Sequence, residues 1–237
     1  RGVELSKPLS PEAVDRIRDA LHAHLVLVFR GQHMTEADHI AFARHFGEIQ
    51  APPIKTKYHA NPELHVLDQV SPRGDGADNC HADHTYTKRP AMGSILRAVK
   101  VPRYGGDTMF ASMYAAYDAL SDRMKQMLDG LEAVHDITLS ATRGIRAGHV
   151  AQSLGEIQKR LPPVVHPVIR THPVTKKKLV FVNSNSTTRI LGLPDAESEA
   201  ILRFLYEHVK TPEFQVRLRW DETSLAFLDN RDRKSVV

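Results

Sequence analysis

The chain has 237 residues, of which 41% are hydrophobic and 25% charged. That balance excludes wholesale disorder, and no run of roughly 18 apolar residues is present to cross a membrane. Lys and Arg total 32 against 28 for Asp and Glu, a net +4, and the only basic clusters are Lys176-Lys177-Lys178 and the Arg231–Lys234 end, too scattered for the basic face that a nucleic acid needs.

The single Cys80 excludes an intrachain disulfide framework and any multi-cysteine zinc site. It suits a reducing compartment, and the expected location is the cytoplasm. No repeat, low-complexity segment or linker divides the sequence, which reads as one domain over residues 1–237. It begins at Arg1 without Met and ends at Val237 inside a sheet-like segment, so the domain is expected to be incomplete at both ends.

Ser10-Pro11-Glu12 opens the first helix, with Ser as cap, Pro at the first helical position and Glu at the positive dipole end. Val14, Ile17 and Leu21 follow at helical spacing. Leu25–Phe29 is a short, β-rich run that Gly31 ends. Thr35 caps a second helix carrying Ile40, Ala43 and Phe46 toward the core, with Gly47 at its end. Further helices are predicted over Ser112–Gly130, broken near Ser121, and over Asp195–Val209. Strands are predicted at Leu64–Leu67, Asn79–Tyr86, Ser94–Val99, Leu131–His135, Val164–Thr171, Leu179–Asn183, Gln215–Trp220 and Ser224–Leu228. Ile137–Pro163 lacks clear periodicity and reads as a long excursion, a candidate lid. Regular strand–helix alternation is absent, which argues against a doubly wound sheet. A mainly β barrel or double-sheet jelly roll with flanking helices fits the pattern.

Chemistry concentrates in Asn79-Cys80-His81-Ala82-Asp83-His84-Thr85-Tyr86. In an extended segment alternate residues share a face, so His81 and Asp83 project together while Cys80, Ala82 and His84 point away. An imidazole and a carboxylate side by side supply two of the three ligands of the 2-His-1-carboxylate triad that holds non-haem Fe(II) and leaves coordination positions open. The spacing alone is weak, because a surface His beside a carboxylate gives the same pattern. Gly105-Gly106-Asp107-Thr108 permits a tight turn and brings Thr108 into a strand with a hydroxyl able to meet a carboxylate, although a plain hairpin reads the same way. His166 and His172 bracket a strand and are read as structural.

These stretches, taken in order, resemble the TauD/TfdA (taurine dioxygenase-like) family of Fe(II)- and 2-oxoglutarate-dependent dioxygenases. The resemblance runs through Val28-Phe29-Arg30-Gly31-Gln32, Phe46-Gly47-Glu48, Asn79-Cys80-His81-Ala82-Asp83, Gly105-Gly106-Asp107-Thr108, Met113-Tyr114-Ala115-Ala116-Tyr117 and His166-Pro167-Val168. It continues through Val182-Asn183, Thr187-Thr188-Arg189-Ile190, Glu213-Phe214-Gln215-Val216-Arg217 and Asp229-Asn230-Arg231. It implies a jelly-roll, double-stranded β-helix fold of the cupin-like, clavaminate synthase-like kind. It further implies that His81 and Asp83 are iron ligands and that Thr108 contacts 2-oxoglutarate. The reaction implied is hydroxylation, by O2, of a small organic anion — a sulfonate, sulfate ester or aryloxy or alkyl carboxylate — with release of succinate and CO2. Relatives are commonly dimers or tetramers, so a homo-oligomer is expected, with no nucleic-acid or membrane partner.

Three departures accompany the resemblance. Relatives place a distal iron-binding His shortly after Asp-Asn-Arg, and an Arg for 2-oxoglutarate beyond it, whereas here Asp229-Asn230-Arg231 runs straight into Asp232-Arg233-Lys234. A gap near 231–232 is the expected explanation, with Arg233 a candidate for the last strand. Pro52, Lys55, Ala77 and Ser186 stand at the taurine-recognising positions, which argues against a taurine-shaped pocket. Leu228 and Cys80 replace Trp before Asp-Asn-Arg and before the first His, leaving volume for other residues to fill. The missing ligand motivates the alternative reading, a catalytically silent jelly-roll binding or scaffold protein.

Overall fold

The computed structural model describes residues 2–50, 61, 63–66, 80–146, 148, 150–231 and, for the backbone, 233–236. Helix α1 (Pro11–His24) starts where Ser10 Oγ accepts the Ala13 N–H, and it buries Val14, Ile17 and Leu21. Strand β1 (Val26–Phe29) follows, then α2 (Glu36–Arg44) behind a reciprocal Thr35/Asp38 capping box. In α2 the deepest residues are Ile40 and Phe42 rather than Ala43. Phe42 packs edge-on against Phe29, Phe46 and Phe227, and this aromatic contact sets the helix rotation.

Next come β2 (Gly93–Arg97), β3 (Thr108–Ser112), α3 (Met113–Asp118), α4 (Asp122–Leu128) and β4 (Glu132–His135). Ser121 caps α4, so the predicted break is real. The predicted excursion contains two helices, α5 (Thr138–Arg146) and α6 (Leu154–Arg160), which pack around Ile137, Ala141 and Ile157, all fully buried. The predicted strand over 164–171 is split at Val168 into β5 (Val164–Pro167) and β6 (Ile169–Thr171). Strands β7 (Lys178–Val180) and β8 (Thr187–Ile190), helix α7 (Asp195–His208), and strands β9 (Gln215–Leu218), β10 (Leu225–Asp229) and β11 (Arg233–Val236) complete the order.

The ladders are antiparallel and form sheets β1-β10-β2, β11-β3-β9, β5-β4-β8 and β6-β7. The result is a set of antiparallel sheets with flanking helices; among the described residues more lie in α-helices than in strands, so the expected mainly β content is not met. Strand β10 is buried along its whole length, with Leu225 and Phe227 facing the α1/α2 side and Ala226 and Leu228 facing Phe110 and Leu218. The period-2 alternation of side chains lets one strand serve two cores. The β2–β10 register sets Ser94 opposite Leu228 and Gly93 opposite Asp229. A Cβ at Gly93 would lie 2.5 Å from the Leu228 carbonyl oxygen, so only glycine permits this approach. That contact fixes where Ser94 stands.

Among the described residues, no helix is long and apolar enough to cross a membrane. The predicted Leu64–Leu67 strand is not formed at Leu64–Val66, and Leu67 lies outside the described residues.

Candidate active site

The predicted Asn79–Tyr86 strand is the main correction to the sequence reading. Asn79 lies outside the described residues, His81 sits in an isolated bridge, and a turn begins at Asp83. His84 adopts the left-handed region at φ 57°, which stops the extended run. The Thr87 N–H and Oγ1–H both bond to the His84 carbonyl and close the turn.

The alternation survives over the few residues that matter. Cys80 and Ala82 are buried, whereas His81 and Asp83 face the other way and remain partly exposed. His81 Nε2 stands 3.5 Å from Asp83 Oδ1. Asp83 Oδ2 accepts a hydrogen bond of 2.9 Å from Ser94 Oγ. Burial alone would push the Asp83 carboxyl up, but its hydrogen bond and charge interaction with His81, joined by the Ser94 bond, hold it at about 2. The group is therefore a carboxylate throughout the neutral range, an anionic oxygen donor beside an imidazole nitrogen.

Thr108 opens β3 and is fully buried. Its Oγ1 accepts the Trp220 indole N–H at 2.8 Å. Indole nitrogen only donates, so the Thr108 hydroxyl keeps its own proton for an acceptor. Arg233 pairs through its backbone with Ser112, and Val236 with Met109. At about 3.3 Å per residue, that register sets Arg233 some 13 Å along β3 from Thr108. Of the taurine-recognising positions, Pro52, Lys55 and Ala77 lie outside the described residues. Ser186 is buried in a turn in which its N–H donates to Asn183 Oδ1 and its carbonyl accepts the Asp136 N–H.

Both Trp replacements are buried. Leu228 packs with Phe110, Leu218, Ala226 and the half-buried Trp220, while Cys80 joins the core around Tyr114 and Phe181. Trp220, five residues before β10, thus supplies aromatic bulk beside Leu228.

A second polar cluster lies at the end of β10. His172 Nδ1 accepts the Val174 and Thr175 backbone N–H groups, so Nε2 carries the ring proton and donates to Asp229 Oδ2 at 3.2 Å. Arg231 forms a bidentate pair with the same carboxylate, Nε to Oδ1 at 2.9 Å and Nη2 to Oδ2 at 2.6 Å. Asp229 and His172 are fully buried. Burial pushes the Asp229 carboxyl up, but the bonds from Arg231 and His172 outweigh it and hold the group at about 2. His166 is also buried, with Nε2 bonded to the Thr87 carbonyl. Both histidines are buried and hydrogen-bonded within the fold.

Sequence reasoning did not single out Ser94 or Trp220, and it used Asn230 only as part of a motif. Their roles depend on contacts across 11, 112 and 136 residues of chain, for which no local pattern exists.

The family model described as taurine catabolism dioxygenase TauD, TfdA family matches residues 1–232. The chain is 33% identical to the alpha-ketoglutarate-dependent 2,4-dichlorophenoxyacetate dioxygenase of Cupriavidus pinatubonensis, over 97% of this chain and 84% of that protein. It is 31% identical to the alpha-ketoglutarate-dependent sulfonate dioxygenase of Saccharomyces cerevisiae, covering 97% of this chain but only 57% of the relative, so it spans little more than half of that protein. The crystal structure of a taurine dioxygenase from Burkholderia xenovorans superimposes with a TM-score of 0.83 at 34% identity, covering all of this chain and 77% of that one. With sequence and fold in agreement over nearly its whole length, the chain belongs to the TauD/TfdA family of dioxygenases.

Proposed function

We propose that this chain is an Fe(II)- and 2-oxoglutarate-dependent dioxygenase that hydroxylates a small organic anion, of the sulfonate, sulfate ester or aryloxy or alkyl carboxylate class. The observation that carries this reading is the approach of His81 Nε2 to Asp83 Oδ1 at 3.5 Å, on a loop tied to β2 of a TauD-family fold. The fold reading goes with it: the antiparallel sheets are parts of a jelly roll, and the protein works as a cytoplasmic homo-oligomer.

The donor pair fits Fe(II). One imidazole and one ionised carboxylate, without thiolate, match the mixed N/O preference of non-haem iron. A third donor is needed, and among the described residues no further His, Cys, Asp or Glu completes a metal-holding group. That observation also favours the alternative, a silent binding or scaffold protein on the same fold.

Bound Fe(II) supplies the oxidation chemistry: one O2 is consumed, 2-oxoglutarate becomes succinate and CO2, and a substrate C–H becomes C–OH. The chain's own contributions are binding and orientation. His81 and Asp83 would hold the metal through Nε2 and Oδ1. Asp83 stays deprotonated and needs no base to free it for coordination. Thr108, oriented by the Trp220 N–H, offers its hydroxyl proton to the far carboxylate of 2-oxoglutarate.

The test is succinate release from the holoenzyme, with Fe(II) and 2-oxoglutarate, across a panel of sulfonates, sulfate esters and phenoxy acids. The expected result is stimulation by at least one panel member and no succinate without iron. An iron-loaded protein that never converts 2-oxoglutarate would favour the silent scaffold.

A further inference from the structure

The metal-side carboxylate is not held by its own loop alone. Ser94 Oγ is 2.9 Å from Asp83 Oδ2 and 2.7 Å from Asn230 Nδ2. Asn230 is itself fixed by its backbone, whose N–H donates to the Met92 carbonyl at 3.1 Å, and its side chain is buried. The chain Asn230–Ser94–Asp83 therefore links the end of β10 to the first residues of β2 and on to the site loop.

Donor and acceptor chemistry gives this chain one direction. An ionised carboxylate only accepts, so the single proton of the Ser94 hydroxyl goes to Asp83. The Ser94 oxygen must then accept from Asn230, which presents its NH2 rather than its carbonyl. The carboxylate end thus fixes which way the Asn230 amide points. Occupying Oδ2 turns the other oxygen, Oδ1, toward His81 Nε2.

The position of Ser94 is equally constrained. Gly93 beside it tolerates no Cβ, since one would meet the Leu228 carbonyl at 2.5 Å. The register then sets Ser94 opposite Leu228, directly before the Asp229-Asn230-Arg231 segment.

We infer that Ser94 is a positioning residue for the metal site: clamped by Asn230, it holds Asp83 Oδ2 so that Oδ1 and His81 Nε2 form the donor pair. This deepens the proposed function and rests on it. Outer-shell partners of this kind change metal affinity without contacting the metal.

The test uses Co(II) as a spectroscopic probe, titrated into the metal-free full chain and followed by visible absorption, with thermal melting of each variant alongside. Ser94→Ala removes the clamp, and Ser94→Thr restores a hydroxyl on a residue suited to a strand. The expected result is a Co(II) Kd raised roughly 10- to 100-fold in Ser94→Ala, returned to within about threefold of the parent in Ser94→Thr, with the melting temperature of Ser94→Ala unchanged. Parent-like affinity in Ser94→Ala overturns the inference while leaving the proposed function standing, as does a Ser94→Thr affinity no better than that of Ser94→Ala. A parent protein that binds no Co(II) at all overturns both.

Discussion

Asp83 and Asp229 are both held at about 2, in very different surroundings. Asp229 is fully buried and both of its oxygens are committed: Oδ1 takes the Arg231 backbone N–H and Nε, and Oδ2 takes Arg231 Nη2 and His172 Nε2. Asp83 keeps a side chain 39% exposed, with Oδ2 clamped by Ser94 and Oδ1 directed at His81. The same acidity thus goes with a closed structural ion pair in one place and, under the proposed function, with a metal donor in the other. The shift alone does not distinguish them, whereas burial and the number of satisfied lone pairs do.

The largest effect that can break this comparison is removal of the buried carboxylate. Asp229→Ala strands the Arg231 charge and the His172 N–H in the interior, and a loss of about 3–5 kcal/mol is expected by denaturant unfolding. Asp83→Ala, on a partly exposed loop, should cost the metal-free chain no more than about 1 kcal/mol. Equal losses in the two variants would remove the distinction.

Acid sharpens it on a smaller scale. The folded Asp229 carboxyl lies below its ordinary value of 3.8, so its contribution is fully present above that value and is lost as pH falls through about 2. Its share is on the order of 2 kcal/mol between about pH 4 and pH 2. An Asp229→Asn variant, titrated by unfolding across that window, should show a shallower acid slope than the parent. An unchanged slope would place the acid-sensitive group elsewhere.

Legibility in the sequence follows the range of the forces involved. Helices α1 and α7 and strand β1 are readable because their apolar spacing is local, and α1 adds its Ser10 cap. Phe42 displaced Ala43 from the expected face of α2 because the aromatic partners Phe29 and Phe227 come from other strands. Helices α5 and α6 escaped periodicity because their buried residues, Ala141 and Ile157, are few and pack with Ile137 across the helix pair. Strand β8 spans only Thr187–Ile190 and was visible as a family stretch but not as a strand. At the site, His81 and Asp83 are legible because their relation is local, even though the segment is a turn rather than a strand from Asp83 onward. Ser94, Asn230 and Trp220 are not, since β2 must pair with β10, and β9 with β3, before those side chains meet their partners.

The central claim is that His81 and Asp83 grip a redox metal, and anaerobic Fe(II) titration of the parent chain against Asp83→Ala, read as bound iron per folded chain, tests it most directly. One iron per parent chain and none retained by the folded Asp83→Ala variant is the result expected. Equal iron in both proteins would remove Asp83 from the site and the donor pair with it.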